Sequence, residues 1–276
     1  MIKYVSRRDA ECVTRSAESR RPEGRNFALY QRHSAARSNW ESMHSESAQR
    51  RLHPRIIDSD WLVLREMRWA IERIAARVAE RGSIAIDLGC GSQPYRSIFD
   101  ARGLQYRGAD FSGAEILIHE SGRVDIADRS ADLVLSFQVL EHVRDVGRYL
   151  EEALRILKAN GWLILSTHGT WLYHPHPEDH RRWTREGLLA EMAVHGFETT
   201  QCVPVLGPLA WTTLVRLTCG YQLCLRVPII GRALACTLAL IMNARGYVEN
   251  LITPEWVRRD NACVYVTLSR AAAPAA

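Results

Sequence analysis

Two glycines one residue apart follow an apolar run at residues 83–88, in the stretch IDLGCGSQPY. An apolar run that stops at a Gly-x-Gly turn is typical of a buried parallel strand that opens into a helix. Because Gly89 and Gly91 carry no Cβ atom, the backbone there can approach a ligand closely. The sequence therefore predicts a parallel α/β sheet with a ligand site at the end of this strand.

The residues around this turn favour a cationic nucleoside over a dinucleotide. A dinucleotide site needs a third glycine and exposed helix N–H groups for the pyrophosphate, and Pro94 stands there instead. Asp87 ends the strand, where its carboxylate repels a phosphate and attracts an ammonium or sulfonium group. Asp110 ends a second short strand, YRGAD, where a carboxylate can accept both hydroxyls of a ribose. S-adenosylmethionine carries both a ribose and a positive charge.

Composition narrows the class of protein. The net charge of +5 is spread along the 276 residues, and nearly all of it is arginine, so no nucleic acid is expected as a partner. The seven cysteines are odd in number and form no CxxC pair, which favours reduced thiols in a cytoplasmic protein. Residues 1–57 are polar and lack clear periodicity; we expect a partly disordered arm without a signal peptide.

Apolar runs and helical periodicity alternate along residues 58–205, the predicted core. A periodic helix precedes the first strand. Farther on, Leu133–Phe137 is typical of a buried strand, followed by a turn at Gln138–His142 and an amphipathic helix that we expect to end at Gly161. The strand WLILSTH follows. This order predicts a doubly wound parallel sheet with ligands at the carboxyl ends of its strands.

Four motifs follow one another in the order DLGCG, YRGAD, LSFQVLEHVRD and RILKANGWLILSTH. Over roughly residues 60–205, and a final strand near 262–269, the chain resembles the class I S-adenosylmethionine-dependent methyltransferases. The resemblance is to their type 11 group, which includes quinone-biosynthesis and cell-envelope glycan enzymes. It implies a Rossmann-like sheet of seven strands, mostly parallel with an antiparallel last strand, and S-adenosylmethionine as the cofactor of a methyl-transferring enzyme.

The same resemblance assigns cofactor-binding roles. Asp87, Gly89 and Gly91 would line the methionine and sulfonium side, and Asp110 would hold the ribose. The backbone around Phe137 and the side chain of Gln138 are expected close to the cofactor.

The adenine contact is less clearly assigned. Aligning VDIADRSAD with the family's apolar-Pro-apolar-Pro-Asp segment puts Glu120 at the acidic site, with Asp125 as the alternative. Both family prolines are missing here, so both assignments stay open.

The stretch STHGTWLYHPHPEDHRRWT leaves the carboxyl end of a central strand, where substrates arrive. Envelope-glycan methyltransferases of the type 11 group carry a similar His-Pro-x-Pro-x-Asp element followed by Arg-Trp-Thr. Histidine can be a free base at neutral pH and still accept a proton. We therefore expect His142, His174 or His176 to take the acceptor's proton, with Asp179 as the orienting carboxylate.

Two alternatives stay open for this stretch. His174, His176, Asp179 and His180 offer metal ligands, but the intervening prolines hold the segment extended, and no metal is expected. The histidines could instead be purely structural. For Trp183 and Thr184 we expect packing and helix capping, because Thr184 precedes the helix REGLLAEMAVHG.

About 55 residues separate the strand FETTQCVP from the last strand, where the plain fold needs only a short connection. Residues 206–261 are expected to form a hydrophobic helical cap, followed by the last strand and tail at 262–276. Arginines interrupt the apolar runs, so none reaches the roughly 18 residues of a membrane span. Residues 206–247 would cover an apolar acceptor or rest on a membrane surface, with arginines reaching lipid phosphates.

These features together predict a methyltransferase acting on a hydroxyl of a sugar, a lipid-linked glycan or another small molecule. Transfer would be an in-line displacement with a histidine base. The enzyme is expected in the cytoplasm, on the inner face of the membrane if the cap binds lipid; the oligomeric state is open. The alternatives are a C-methyltransferase of a quinone-like ring and a non-catalytic cofactor-binding scaffold. The intact DLGCG and Asp110 favour an enzyme, because a scaffold needs neither.

Overall fold

The computed structural model describes residues 48–175 and 178–272. Most of the predicted N-terminal arm, namely residues 1–47, lies outside the described residues, and so do His176 and the last four residues of the chain.

Seven strands form one sheet. They are β1 (Ile84–Leu88), β2 (Gln105–Asp110), β3 (Ile116–Leu117), β4 (Ala131–Phe137), β5 (Leu157–His168), β6 (Phe197–Val205) and β7 (Val264–Ala271). Their order across the sheet is β3-β2-β1-β4-β5-β7-β6. Strands β1 to β5 pair in parallel, whereas β7 runs antiparallel to both β5 and β6. The predicted Rossmann-like sheet, mostly parallel with an antiparallel last strand, is confirmed.

Helices cover both faces of this sheet. They are α1 (Trp61–Val78), α2 (Arg96–Asp100), α3 (Val146–Ile156), α4 (Arg185–Val194), α5 (Pro208–Cys224), α6 (Gly231–Ile252) and α7 (Glu255–Asp260), with a 3-10 turn at Leu140–His142. The predicted helix ahead of the first strand is α1. Helices α5, α6 and α7 stand between β6 and β7, which confirms the predicted helical insertion.

The core forms on both sides of the sheet because the central strands are apolar on both faces. In β4, Leu133 and Leu135 pack with Ile71 and Ile74 of α1, while Val134 packs with the cluster on the opposite face. Successive side chains of a strand point to opposite faces, so a fully buried strand reads as a continuous apolar run. This burial fixes β4 in the centre of the sheet, next to β1.

The expected end of α3 at Gly161 is wrong. The helix ends at Ile156, and residues 157–161 belong to β5, where Leu157 pairs with Ala131. A Cβ atom added at Gly161 would lie 2.7 Å from Leu157 Cδ1 and 2.9 Å from the backbone oxygen of Asp132. Gly161 therefore does not end a helix. A glycine is required there because the neighbouring strand backbone approaches too closely for a side chain.

Helices α5 and α6 form a hairpin that packs on the body of the protein near α1. Helix α5 buries Ala210, Leu214 and Leu217. In α6, the Asn243 side chain donates hydrogen bonds to the backbone oxygens of Ile56, at 2.7 Å, and Asp58, at 2.9 Å. Within the described residues, no helix combines the length and the apolar character needed to cross a membrane.

Candidate active site

The carboxyl ends of β1, β4 and β5 lie side by side. Asp87 pairs with Leu135, and Phe137 pairs with Ser166, so the segments that leave these strands share one edge of the sheet. The glycine turn after β1 meets the segment after β4 directly. A Cβ atom at Gly89, where φ is +69°, would lie 2.8 Å from Val139 Cγ2. Only glycine suits both this backbone conformation and this contact.

Asp110 fixes the open side of the glycine turn. Its Oδ2 atom accepts the backbone N–H of Gly91 at 2.9 Å, and its Oδ1 atom accepts that of Phe111 at 2.7 Å. A Cβ atom at Gly91 would meet nothing within 4 Å. Free space thus lies beside the turn that the carboxylate holds, and the side chain of Phe111, the next residue in the sequence, is 65% exposed. This is the place that the sequence predicted for the ribose.

Asp87 lies deeper at the same edge. Its side chain is 2% exposed and accepts a hydrogen bond from the Tyr106 hydroxyl. Burial raises the pKa of Asp87 from 3.8 to about 7; the Tyr106 hydrogen bond opposes this rise and the negative charge of Asp110 adds to it. A buried carboxylate with a second carboxylate nearby attracts a cation, so these residues fit the sulfonium and ammonium end of S-adenosylmethionine.

The buried Tyr95 hydroxyl adds to this fit. Tyr95 is fully buried, and its hydroxyl has no hydrogen-bond partner among the described residues. Its ring packs edge-on against Phe137 at 5.1 Å between ring centroids. An unpaired hydroxyl in the interior is costly unless a ligand or water completes it.

The structure places Phe137 and Gln138 at the start of the segment after β4. The Phe137 side chain is 7% exposed and points into the core. Gln138 has a φ of +58°, and its Nε2 atom donates to Ser166 Oγ at 3.1 Å. The Gln138 side chain is thereby tied to the end of β5, and its proximity to the cofactor stays a prediction.

Glu120 and Asp125 both lie exposed near the end of β3. An isolated bridge joins Ile118 and Val124, with Glu120 in the turn between them. The backbone N–H of Asp125 donates to the Leu117 oxygen at 3.0 Å. The choice between these two carboxylates for the adenine stays a prediction.

His142 is the half-buried histidine that follows β4. Its Nδ1 atom lies 2.5 Å from the backbone oxygen of Glu178. A carbonyl oxygen only accepts, so Nδ1 carries the hydrogen and neutral His142 holds its basic lone pair on Nε2. Burial lowers the pKa of His142, which keeps the ring neutral at pH 7. The His174 ring lies 5.8 Å away between centroids.

Sequence reasoning missed His168 and Glu141 as site residues. His168 ends β5 and is 3% exposed; its Nδ1 atom lies 3.0 Å from Glu141 Oε1, and Thr167 donates to Glu141 Oε2 at 2.9 Å. Burial lowers the pKa of His168 to about 2 and raises that of Glu141 to about 7, so both groups favour their neutral forms. The sequence did contain one signal for His168: it is a polar residue at the carboxyl end of a predicted central strand.

Arg182 clamps the loop that carries His174. Its guanidinium donates to both carboxylate oxygens of Asp179, at 2.5 and 2.6 Å, and to the backbone oxygen of Leu172 at 2.7 Å. This ion pair holds the pKa of Asp179 well below its usual range. Asp179 Oδ2 also accepts the backbone N–H of His174 at 2.7 Å. The carboxylate thus positions His174 through its backbone.

Further contacts tie this loop to the segment after β4. The backbone N–H of His180 donates to the Glu141 oxygen at 2.9 Å, and Arg181 donates to the Val143 oxygen at 2.5 Å. The structure thereby brings together two stretches that lie almost 40 residues apart in the sequence. Within the described part of the chain, no three His, Cys, Asp or Glu side chains are arranged to hold a metal ion.

A stack of three rings connects the histidines to the helical insertion. The rings of His168 and Trp171 stack at 4.9 Å, and Trp171 stacks at 4.9 Å on Trp211 of α5. At the other end of the loop, Thr184 caps α4 by accepting the backbone N–H of Gly187 at 3.0 Å, which confirms the capping interpretation. The loop is therefore anchored at both ends.

Comparisons with known proteins agree with this geometry. A family model described as a methyltransferase domain matches residues 62–212. A probable S-adenosylmethionine-dependent methyltransferase of Mycobacterium tuberculosis is 25% identical over 116 residues, which cover 38% of this chain and 42% of that protein. A ubiquinone biosynthesis O-methyltransferase of Bradyrhizobium is 33% identical over 97 residues, covering 30% of this chain and 38% of that protein. Each match thus spans less than half of the relative's length.

Among solved structures, the chain is similar to a 1,6-didemethyltoxoflavin-N1-methyltransferase of Burkholderia thailandensis, with 12% identity and a TM-score of 0.49. The superposition covers 93% of this chain and 94% of that one. The family model spans more than half of the chain. The chain therefore belongs to the methyltransferase domain family, and the predicted class I S-adenosylmethionine-dependent methyltransferase is confirmed.

Proposed function

We propose that this enzyme methylates a hydroxyl group of a sugar, a lipid-linked glycan or another small molecule, with His142 as the base. The observation that carries the proposal is the 2.5 Å contact between His142 Nδ1 and the Glu178 oxygen, at the sheet edge that holds the glycine turn. It selects the tautomer whose Nε2 atom can accept a proton.

Asp87, Asp110 and the glycine turn would hold the cofactor. When bound, S-adenosylmethionine supplies a methyl group on a positively charged sulfur. The buried Asp87 carboxylate would face this positive end, and Asp110 would accept the ribose hydroxyls. The exposed Phe111 ring next to Asp110 offers a face on which a base can stack.

His142 would accept the proton of the attacking hydroxyl on Nε2 as the oxygen takes the methyl group. The hydrogen stays on Nδ1 and is donated to the Glu178 carbonyl oxygen, which would fix the ring plane and stabilise the positive charge that His142 gains. Much of the acceleration would come from orientation, since well-oriented reactants gain about 7–11 kcal/mol. The Arg182 and Asp179 clamp keeps the neighbouring loop in place for this purpose.

The name of one relative and the chemistry of a histidine base support an oxygen acceptor. The Bradyrhizobium relative is named an O-methyltransferase, and a histidine base suits a hydroxyl proton. The stacked Trp171 and Trp211 rings provide a flat apolar wall beside the histidines. Carbon methylation of a quinone-like ring stays the alternative, since a demethylmenaquinone methyltransferase of Thermobifida fusca is also similar, at 28% identity over 118 residues.

Single alanine variants of His142, His174 and Asp179 test the base. Turnover is measured as S-adenosylhomocysteine release with sugar, lipid-linked glycan and quinol acceptors, and cofactor affinity by calorimetry. His142→Ala should lower turnover by about 10²- to 10⁴-fold with cofactor affinity nearly unchanged. His195→Ala is the control, because His195 pairs with Glu191 outside this site.

Three outcomes would contradict the proposal. His142→Ala turnover within tenfold of the unsubstituted enzyme would show that orientation alone carries the reaction. Loss of activity in EDTA that a divalent ion restores would replace the histidine base with a metal. A product methylated on carbon would favour the quinone alternative.

The acid limb of the pH profile of turnover should also disappear in His142→Ala, because protonated His142 cannot accept a proton.

A further inference from the structure

The turn between α5 and α6 exposes apolar side chains in nearly unbroken succession. Ile229 is 103% exposed and Ile230 is 54% exposed. The exposed apolar residues of this tip, which spans residues 223–234, are Leu223, Leu225, Val227, Ile229, Ile230 and Leu234. Monomeric proteins rarely expose so continuous an apolar patch unless it contacts a partner or a lipid.

The charged residues in the sequence of the tip and of its flanking helices up to Tyr247 all have one sign. Between Glu198 and Glu249 the sequence contains no aspartate or glutamate and no lysine, while it contains four arginines. Two of these, Arg226 and Arg232, lie exposed within the tip itself. A guanidinium beside an apolar side chain can reach a lipid phosphate while the apolar group enters the acyl region.

The backbone presents Ile229 outward. Its φ is +64°, a conformation that β-branched residues rarely adopt, and one that costs energy. The turn is held by the backbone N–H of Gly231, which donates to the Val227 oxygen at 3.1 Å. A Cβ atom at Gly231 would lie 2.4 Å from the Cys224 oxygen, so only glycine closes the turn. The Ile229 side chain is fully exposed, so burial against the described part of the chain does not offset this conformation.

The hairpin carries the tip away from the body of the protein. Near its other end, Asn243 and Asn250 of α6 are buried, at 2% and 6% exposure. Fifteen residues of helix separate Gly231 from Gly246, a rise of about 22 Å. A Cβ atom at Gly246 would lie 3.2 Å from Leu62 of α1, so this end is packed on the protein. The tip can therefore enter an interface without unfolding any of the buried contacts.

We propose that residues 223–234 dock the protein on an anionic phospholipid surface, with the apolar tip inserted at the level of the head groups. The excess of arginine selects lipid over a second copy of the chain, because two such tips would bring like charges together. This docking does not depend on the chemistry of methyl transfer.

Flotation of the full chain with vesicles tests the proposal. Vesicles of phosphatidylcholine with phosphatidylglycerol should carry the protein to the top fraction, and vesicles of phosphatidylcholine alone should carry much less. Ile229→Glu combined with Ile230→Glu should abolish flotation. Arg226→Gln and Arg232→Gln should each weaken binding about fivefold, the effect of one basic residue near an anionic surface. High salt should weaken it further.

Val194→Glu is the matched control. Val194 ends α4 and is 80% exposed, so the variant adds one negative charge, as each of the two tip substitutions does, at an exposed site outside the tip. It should float like the unsubstituted protein, and all variants should keep the same thermal midpoint. An unsubstituted protein that stays at the bottom with phosphatidylglycerol overturns the proposal. So does light scattering that finds a dimer which the Ile229 and Ile230 substitutions dissociate.

Discussion

Replacing Asp87 by asparagine should make the protein more stable at pH 8 and a weaker binder of its cofactor. The Asp87 carboxylate is 2% exposed, and the Tyr106 hydroxyl is its hydrogen-bond donor. Asparagine has nearly the same shape, and its oxygen still accepts from Tyr106. The substitution therefore removes the buried charge while leaving the packing almost unchanged.

The size of the effect follows from the pKa, which rises from 3.8 to about 7 on burial. Below pH 4 both the folded and the unfolded chain hold the proton, and burial of the carboxyl carries no charge penalty. As the pH rises to 7, the unfolded chain ionises first, and stability is lost progressively. Roughly three pKa units at 1.36 kcal/mol each make this loss about 4 kcal/mol, and about 2–4 kcal/mol after relaxation of the site.

Urea unfolding of the unsubstituted chain and Asp87→Asn, between pH 4 and pH 8, measures the difference. The two free energies of unfolding should agree near pH 4 and diverge by about 2–4 kcal/mol at pH 8, with asparagine higher. Tyr106→Phe is the companion variant: it removes the donor and should lower stability at pH 8. Equal unfolding midpoints of Asp87→Asn and the unsubstituted chain at pH 8 would refute a buried charge at this position.

The two proteins should rank in the opposite order in their affinity for the cofactor. Asp87→Asn should weaken S-adenosylmethionine binding by about 1–3 kcal/mol, the scale of a hydrogen bond to a charged group. Affinity of the unsubstituted chain should also fall as the pH drops below 7, because Asp87 must ionise to hold a cation. Calorimetric titrations at pH 6 and pH 8 measure both effects, and an affinity that does not change with pH would contradict the role of Asp87.

Three further substitutions probe the site. Tyr95→Phe removes a buried hydroxyl that lacks a partner among the described residues and should raise the free energy of unfolding by about 1 kcal/mol; a decrease would reveal a hidden partner. Gly89→Ala should cost about 2 kcal/mol in urea unfolding, because of its positive φ and the contact with Val139, and Val139→Ala should restore part of it. Arg182→Gln should speed chymotryptic cleavage of the loop and lower turnover, while cofactor affinity stays the same; unchanged cleavage would exclude the clamp with Asp179.

The glycine turn after β1 and the position of Asp110 at the end of β2 could be predicted from the sequence because short stretches encode them. The apolar run before Gly89 and the acidic end of β2 can each be recognised from a few neighbouring residues. The parallel sheet brings both to one edge. The end of α3 was missed for the opposite reason. Gly161 has the residue type of a helix stop, but the approach of Asp132 decides its position, and that contact is long-range.

The histidine site depends on contacts that no local pattern encodes. His168 was one of several histidines in a polar stretch, and only the pairing of β5 with β4 sets it beside Glu141. The Nδ1 contact of His142 is made to a backbone oxygen 36 residues away, which any residue could provide. Sequence alone therefore gives the histidines as candidates, and the fold decides which tautomer of His142 the Glu178 oxygen selects.

The proposed cofactor and acceptor sides of the site are held in place by different kinds of contact. The proposed cofactor side consists of glycine conformations and carboxylates at strand ends, so we expect a substitution there to change cofactor affinity together with stability. The proposed acceptor side is held by arginine contacts to backbone oxygens, as with Arg181 and Arg182, on a loop outside the sheet. We therefore expect substitutions at Arg181 and Arg182 to change mainly the position of the acceptor, and to leave the glycine turn that would hold the cofactor unchanged.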